Sequence, residues 1–231
     1  MADTTTTNLS LTLPESGGST GTWGTKINAN FSTLDSKIVA NTGGTFTGAV
    51  TFSSTVNGAD IILDATNHNL ALGRLVHSAI TSGNSNTSFS DASLDDNTSG
   101  SYNSALGHRA LRDNTEGSLN SALGYNALAN NLTGDYNSGF GYNTLGGNET
   151  GDNNSAFGAG AMDEAESCNE NTAVGFYALE VSQSNNNSAF GSRSLFLLEG
   201  GSGNNTAIGY ASGDNITTGS NNIIIGANID A

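Results

Sequence analysis

The carboxylates that could do chemistry stand in two short clusters. Asp95 and Asp96 form one pair, and Asp163, Glu164 and Glu166 form the other. Paired carboxylates can bind Ca²⁺, or they can divide acid and base roles in glycoside hydrolysis. Neither cluster has the spacing of an EF-hand loop or of a calcium-binding nonapeptide repeat. Both fall in segments that we predict to be turns, so we interpret them as solvated corners of the fold.

The remaining reactive side chains form no catalytic pattern. His68, His77 and His108 lack the spacing of metal ligands, and Cys168 is the single cysteine. One cysteine excludes an intrachain disulfide framework. The sequence also contains no G-x-S-x-G motif and no phosphate-binding loop. We therefore predict no catalytic residue, no metal, no cofactor and no enzymatic activity.

The most regular feature is a repeat of seventeen residues. Each copy begins with a pentad of the type Asn-Ser-Ala-Φ-Gly, where Φ is a large apolar residue, and the steps are 17 except for one 16 followed by one 18; the pentads begin at Asn69, Asn86, Asn103, Asn120, Asn137, Asn154, Asn171, Asn187, Asn205 and Asn222. A fixed short period indicates a stacked solenoid in which each repeat forms one coil.

The repeat predicts an all-β solenoid, a parallel β-roll or β-helix of about ten coils, with its hand left open. Counting the asparagine as position 1, we expect the apolar columns at positions 4 and 9 to face each other inside. The expected position-4 core consists of Leu106, Leu123, Phe140, Phe157, Val174, Phe190, Ile208 and Ile225. Seventeen residues fit two strands of about five residues and two turns. Coils stacked at about 4.8 Å would make a rod of roughly 48 Å.

Two further columns carry polar and aromatic groups. The asparagines at position 1 can hydrogen-bond to one another up a ladder, and we predict a structural role for them. The aromatic residues at position 6 could stack on sugar rings of a host glycan or fill a groove between protomers. Together with Phe196, from the apolar run Leu195–Leu198, they are the candidate receptor contacts: Tyr125, Tyr142, Phe176 and Tyr210. That run is either an exposed loop or a local packing adjustment.

Three segments precede the repeat domain, which we place at residues 67–231. Residues 1–22 have the pattern of an extended segment, broken after Pro14. Residues 23–40 predict a short helix, because apolar side chains recur on one stripe: Trp23, Ile27, Phe31, Leu34 and Ile38. Residues 41–66 are rich in Thr and β-branched residues and predict one or two strands, with Ile61–Leu63 starting the array.

Composition favours self-association and disfavours other partners. The formal net charge of −15 disfavours binding to nucleic acid and to anionic membrane surfaces. The sequence has no run of about 18 apolar residues, so we predict no membrane span. Two large apolar residues per coil are few against the entropy of ordering seventeen residues. We therefore expect several copies to pack side by side, and a threefold axis suits parallel stacks. The short helix would form a bundle between the same copies.

Three segments resemble known virion proteins. The run Pro14–Phe31 (PESGGSTGTWGTKINANF) resembles the N-terminal segment of tail-fibre and related proteins of tailed bacteriophages. The run Gly44–Phe52 (GTFTGAVTF) is similar to the strand that follows in such fibres. The Asn-Thr-Ala-Ile-Gly array resembles repeats in phage fibres and in the β-roll heads of trimeric autotransporter adhesins. The N-terminus lacks a signal-peptide pattern and no membrane anchor is evident, so the adhesin resemblance bears on the fold only.

The resemblance implies a homotrimeric structural protein of a phage virion, assembled in the host cytoplasm. It would be attached through its N-terminal segment, with Pro14, Trp23, Ile27, Phe31 and Leu34 as attachment residues. Other tail or capsid proteins would be its partners, and a host surface glycan or protein its receptor. The alternatives are a capsid decoration or head fibre, a tailspike that degrades polysaccharide, and a cellular adhesin.

Overall fold

The structure is a computed structural model that describes residues 4–5, 12–13, 49–56, 59–64, 66–77, 79–201 and 203–229. The chain divides into two units, residues 1–47 and residues 48–231. In the first unit, strands β1 (Thr4–Thr5) and β2 (Thr12–Leu13) pair antiparallel. The helix predicted over residues 23–40 and the attachment residues named above lie outside the described residues.

The second unit contains one sheet of twelve strands, β3 to β14, each next to its neighbour in sequence. Strands β3 (Ala49–Val56), β4 (Ala59–Asp64) and β5 (Asn69–Gly73) form an antiparallel meander. From β5 onward every pairing is parallel; the later strands are β6 (Thr87–Phe89), β7 (Ser104–Leu106), β8 (Ser121–Leu123), β9 (Ser138–Phe140), β10 (Ser155–Phe157), β11 (Thr172–Val174), β12 (Ser188–Phe190), β13 (Thr206–Ile208) and β14 (Ile223–Ile225). Ten parallel strands enclose about nine coils of about 17 residues, which confirms the all-β parallel solenoid.

The start of the array differs from the prediction. Strands are present in the connector as expected, but Ile61–Leu63 lies in β4, which runs antiparallel to β5. The parallel stack therefore begins at β5, and the meander continues the sheet beyond its first coil. The expectation that Ile61–Leu63 starts the array is wrong.

From β6 onward each coil contains one strand of three residues, whereas two strands of about five residues were expected. The rest of the coil turns through left-handed residues at positions 7, 9 and 17, for example Asn126 (φ 54°), Leu128 (φ 53°) and Tyr136 (φ 58°). A left-handed residue reverses the direction of the chain within a few residues, which leaves no room for a second strand. No helix occurs in the part of the chain that the structure describes.

The interior of the coil is narrow. Position 9 is fully buried, as predicted, in a column of Leu94, Leu111, Leu128, Leu145, Met162, Leu179 and Leu195. Facing it are small residues at positions 3 and 8, such as Ala156 and Ala161, which are also fully buried. The core of each coil is thus one large side chain against alanines.

The prediction that position 4 lies inside the coil is wrong for the single chain. Side chains alternate across a strand, so burial of position 3 places positions 2 and 4 outside. Exposure ranges from 36% at Val174 to 66% at Ile225, and Phe140 is half-buried; the other members of the expected core, all exposed, are Leu106, Leu123, Phe157, Phe190 and Ile208. The small residues at positions 3 and 8 bring the walls too close for a second large column.

The position-1 asparagines form the predicted ladder, with a geometry that uses the backbone. The N–H of Asn120 donates to Oδ1 of Asn103 at 3.0 Å, and Asn137 repeats this bond to Asn120 at 2.8 Å. The Asn120 amide also donates to the carbonyl of Gly134 at 2.7 Å, across its own coil. Each asparagine therefore closes its own coil and binds the preceding one.

A second asparagine ladder runs through position 12 of four consecutive coils. Asn114, Asn131 and Asn148 each donate to Oδ1 of the asparagine one coil earlier, at 2.7, 2.7 and 2.8 Å. In the next coil the position is Ala165, which offers no donor. Oδ1 of Asn148 is consequently buried without a hydrogen-bond partner.

Glycines at position 15 permit close stacking of the coils. A Cβ on Gly100 would lie 2.2 Å from the carbonyl oxygen of Gly117 in the next coil and 2.5 Å from Oδ1 of Asn97. The glycines at position 5 combine the same close approach with a positive φ: Gly124 has φ 137°, and a Cβ on it would lie 2.2 Å from the carbonyl oxygen of Gly141.

One histidine stands in the leucine column. His77 occupies position 9 of the first coil, is 4% exposed, and neither ring nitrogen has a hydrogen-bond partner. Burial lowers the pKa of His77 to about 4, although the charge of Asp64 acts in the opposite direction. The imidazole is therefore neutral in the folded chain at neutral pH.

In a Cys168→Gly background, the interrupted ladder predicts that Ala165→Asn stabilises the fold; the glycine is needed because a Cβ at position 15 would lie about 2.5 Å from Oδ1 of the position-12 asparagine, as it would at Gly117 beside Asn114. The new amide would donate to the orphaned Oδ1 of Asn148, as the preceding rungs do, and we expect a gain of about 1 kcal/mol in the free energy of unfolding. Thermal unfolding measures it. The matched control is Ala178→Asn, also fully buried, which we expect to destabilise by overpacking. Equal destabilisation by both substitutions would contradict the ladder account.

The buried imidazole predicts an acid-sensitive first coil. At a pH below the usual histidine pKa of about 6.5, His77 binds a proton in the unfolded chain. In the folded chain it stays neutral down to about pH 4. Stability should therefore fall as the pH falls, by about 2 kcal/mol at pH 5. Unfolding midpoints measured at pH 7 and pH 5 should converge in His77→Leu, which restores the leucine column. The exposed-site control, His68→Asn, should keep the full pH dependence, and an unchanged dependence in His77→Leu would disprove the assignment.

Candidate functional surfaces

The most extensive surface feature is an apolar column on the outer face of the sheet. We call it the outer stripe; it consists of the ten position-4 side chains Leu72, Phe89, Leu106, Leu123, Phe140, Phe157, Val174, Phe190, Ile208 and Ile225. The parallel strands are in register, for example Phe157 beside Val174, so the side chains follow one another without a break. The rings of Phe140 and Phe157 stack with centroids 5.0 Å apart and planes 2° apart.

The outer stripe encloses a shallow apolar groove. A pocket of about 350 Å³ lies between the coils, lined chiefly by Phe89, Leu106, Leu123 and Phe140 with the small residues beside them. Position 2 borders the stripe with Ser or Thr, such as Ser121 and Thr172. Contiguous apolar surface of this kind, with a polar border, is characteristic of contact sites between macromolecules.

The position-6 column places some of the candidate receptor contacts together. His108, Tyr125 and Tyr142 stack ring on ring, with centroids 5.4 Å apart at each step and planes within 10°. Tyr125 is 43% and Tyr142 57% exposed. The next coil carries Ala159 at this position, so the stack ends at Tyr142.

The other aromatic candidates lie further along the stack. Phe176 and Tyr210 are 51% and 55% exposed, and Ser192 separates them in the column. Phe196 is half-buried under the guanidinium of Arg193, which lies 4.6 Å from its ring centroid. The five residues predicted as receptor contacts therefore do not form one cluster.

The apolar run around Phe196 is a packing adjustment. Leu195 and Leu198 are fully buried, in the leucine column and at position 12 respectively. Leu198 takes the place that asparagines hold in the earlier coils, so the core changes from polar to apolar at this end. The alternative of an exposed apolar loop is thus wrong for these two residues.

Of the carboxylates predicted to be solvated corners, Asp96, Glu164 and Glu166 are exposed, whereas Asp95 and Asp163 are half-buried. Burial raises the pKa of Asp163, and the charge of Glu164 adds to this effect while a hydrogen bond from Asn143 opposes it. Burial also raises the pKa of Glu180, and the charges of Glu164 and Asp163 raise this pKa further. At the other cluster, burial and then the charge of Asp95 raise the pKa of Asp96.

Beside Asp163 lies a polar pocket that the sequence analysis did not identify. It measures about 220 Å³ and is lined by residues of consecutive coils, Arg112, Asn126, Ala129, Asn130, Asn143, Gly146, Gly147, Asp163 and Glu164. The glycine pair at positions 10 and 11 lets Asp163 of the next coil approach closely: a Cβ on Gly146 would lie 2.4 Å from Oδ1 of Asp163, and one on Gly147 would lie 2.6 Å from its carbonyl oxygen. Such a pair inside an otherwise regular repeat is the signal that could have revealed the pocket.

The remaining reactive groups are isolated. Burial raises the pKa of the Cys168 thiol to about 11, so this cysteine is a poor nucleophile. Within the described ranges, no three His, Cys, Asp or Glu residues are placed to hold a metal ion. The same residues include no helix that is long and apolar enough to cross a membrane.

Comparison with known proteins returned no match to a family model, to a curated protein or to a solved structure.

Proposed function

We propose that this chain is the structural fibre protein of a phage virion, attached through its N-terminal segment and projecting a trimeric β-roll that contributes to host attachment. The observation that carries the proposal is the outer stripe. A column of ten apolar side chains on the outer face, eight of them exposed and two half-buried, suits a rod that is completed by further copies of itself.

The size of the stripe supports an interface between copies. Eight side chains of the stripe are 36–66% exposed, and Phe89 and Phe140 are half-buried. Together they leave a contiguous apolar area of roughly several hundred Å² per chain, comparable to or larger than the biggest apolar patch of a typical monomer, about 300–600 Å². The uniform spacing of the coils lets identical stacks run side by side in register along their whole length.

Threefold association brings the three stripes to one axis. In a closed ring each copy offers the same surface, so one apolar face per chain suffices. The formal charge of −15 per chain opposes association, but the outer stripe itself carries no charged residue. The polar position-2 column would then form the border of each contact.

The virion role is supported by the N-terminal resemblance. The segments Pro14–Phe31 and Gly44–Phe52 precede the array in the order found in phage fibres. A rod built from one short repeat can hold its far end at a fixed distance from the point of attachment. The capsid decoration or head fibre remains the second candidate, because the same segments would serve attachment to either part of a virion.

The trimer is tested by a charge placed on the stripe. We expect the wild-type chain to sediment at about 70 kDa, three times its 23.4 kDa, and Leu123→Asp to sediment as a monomer because three carboxylates would meet in an apolar contact. The control is Leu119→Asp: Leu119 and Leu123 are both 42% exposed, but Leu119 lies outside the stripe. A stable wild-type monomer, or equal dissociation by the two substitutions, would sink the proposal.

Attachment is tested by truncation. Removal of residues 1–40 should abolish incorporation into virions, while the repeat domain keeps its circular dichroism spectrum and unfolding midpoint. Immunogold labelling of intact virions then locates the chain on tail or capsid. Normal incorporation of the truncated chain would refute the attachment role.

A further inference from the structure

The corner of the coils that begin at Asn120, Asn137 and Asn154 combines an aromatic surface with a polar pocket. Tyr125 and Tyr142 directly precede Asn126 and Asn143, two residues that line the 220 Å³ pocket. A single hexopyranose ring is of comparable size. The corner thus offers both an apolar face and hydrogen-bonding groups at the scale of one sugar.

One face of the Tyr142 ring is left without a ring partner. Tyr125 covers the other face at 5.4 Å, but Ala159 follows where a further ring would continue the stack. The next aromatic residue of the column, Phe176, is already packed against Tyr177, with ring centroids 4.0 Å apart, and the Tyr177 ring lies beside Gly160 of the intervening coil. A sugar would therefore stack on the Tyr142 ring alone.

The same coil that interrupts the stack supplies the carboxylates. Asp163 and Glu164 belong to the coil of Ala159, and both line the pocket. A carboxylate accepts hydrogen bonds from two neighbouring hydroxyls, the arrangement that a pyranose presents. Partial burial at Asp163 strengthens such bonds, because water competes less for the acceptor.

The amide oxygens of the pocket lack donors that a polyol would supply. Oδ1 of Asn126 and Oδ1 of Asn143 are buried without hydrogen-bond partners. Both side chains line the pocket, so rotation about the Cβ–Cγ bond presents either oxygen or nitrogen to it. Hydroxyl groups donate and accept, and can satisfy both.

The charges of the corner select against acids. Arg112, the one cation that lines the pocket among the described residues, is engaged by the carboxylate of Asp113. Asp163 and Glu164 therefore dominate the local field, and Glu180 is close enough for their charges to raise its pKa. An anionic sugar would be repelled.

We propose that this corner binds one neutral hexopyranose ring, stacked on the free face of Tyr142 and hydrogen-bonded by Asp163, Asn126 and Asn143. The proposal deepens the attachment role and rests on it for its biological meaning, since the ligand class is that of a neutral surface glycan. Binding itself depends only on the folded chain.

Saturation-transfer NMR with the full chain tests the site, using the methyl α-glycosides of glucose, galactose and mannose and, as the anionic probe, N-acetylneuraminic acid. We expect at least one neutral glycoside to bind with a dissociation constant on the order of 1 mM, and the acid not to bind. Tyr142→Ala and Asp163→Asn should each weaken binding about tenfold. Circular dichroism checks that both variants are folded.

Two matched controls complete the design. Tyr210→Ala removes an equally exposed ring of the same column, and Glu166→Gln removes an exposed carboxylate outside the pocket; both should leave affinity unchanged. The site is disproved if no neutral glycoside binds at about 50 mM, or if affinity survives in Tyr142→Ala and Asp163→Asn. Either failure would leave the trimer mass and virion incorporation unaffected, so it is distinguishable from failure of the proposed function.

Discussion

The hydrogen bond from the backbone of each position-1 asparagine to the side chain of the one before it sets the geometry of the whole array. Between Asn103 and Asn154 these bonds measure 2.8–3.0 Å, and the same amides close each coil onto its position-15 carbonyl. A buried amide with all its groups satisfied is favourable, whereas one displaced from its rung would cost about 1–3 kcal/mol. The asparagines therefore stay in register from coil to coil, even across the steps of 16 and 18 residues, and all other columns inherit this register.

That register has a consequence for the apolar residues. Because the small residues at positions 3 and 8 leave the walls of the coil close together, the interior of most coils holds a single large side chain, the leucine at position 9. The second column is forced outside. The sequence indicates about two large apolar residues per coil as a core. The structure buries the one at position 9, and the one at position 4 belongs to the outer stripe. On this account self-association completes the hydrophobic burial that one chain leaves unfinished.

Much of the fold could be predicted from the period. A repeat of seventeen residues with a conserved strand motif requires parallel pairing, and the asparagine at its first position requires a ladder; both are confirmed. Whether the position-4 side chains point into or out of the coil could not be predicted. Leu106 and Leu111 are the same residue type, and only the local turn decides which one points inward. That turn depends on left-handed residues such as Asn126 and Leu128, which carry no glycine signature. The polar pocket was not predicted either, because it depends on the close approach of Asp163 to Gly146 and Gly147 of the preceding coil.

The central claim, that a partner covers the outer stripe, is tested most directly by thiol labelling of the assembled protein. Leu123→Cys and Leu119→Cys place a cysteine at two sites of equal exposure in the single chain, 42%, and native Cys168 is buried with a pKa raised to about 11. Maleimide labelling under native conditions should be slow at position 123 and fast at position 119. Equally fast labelling at both positions would contradict the account.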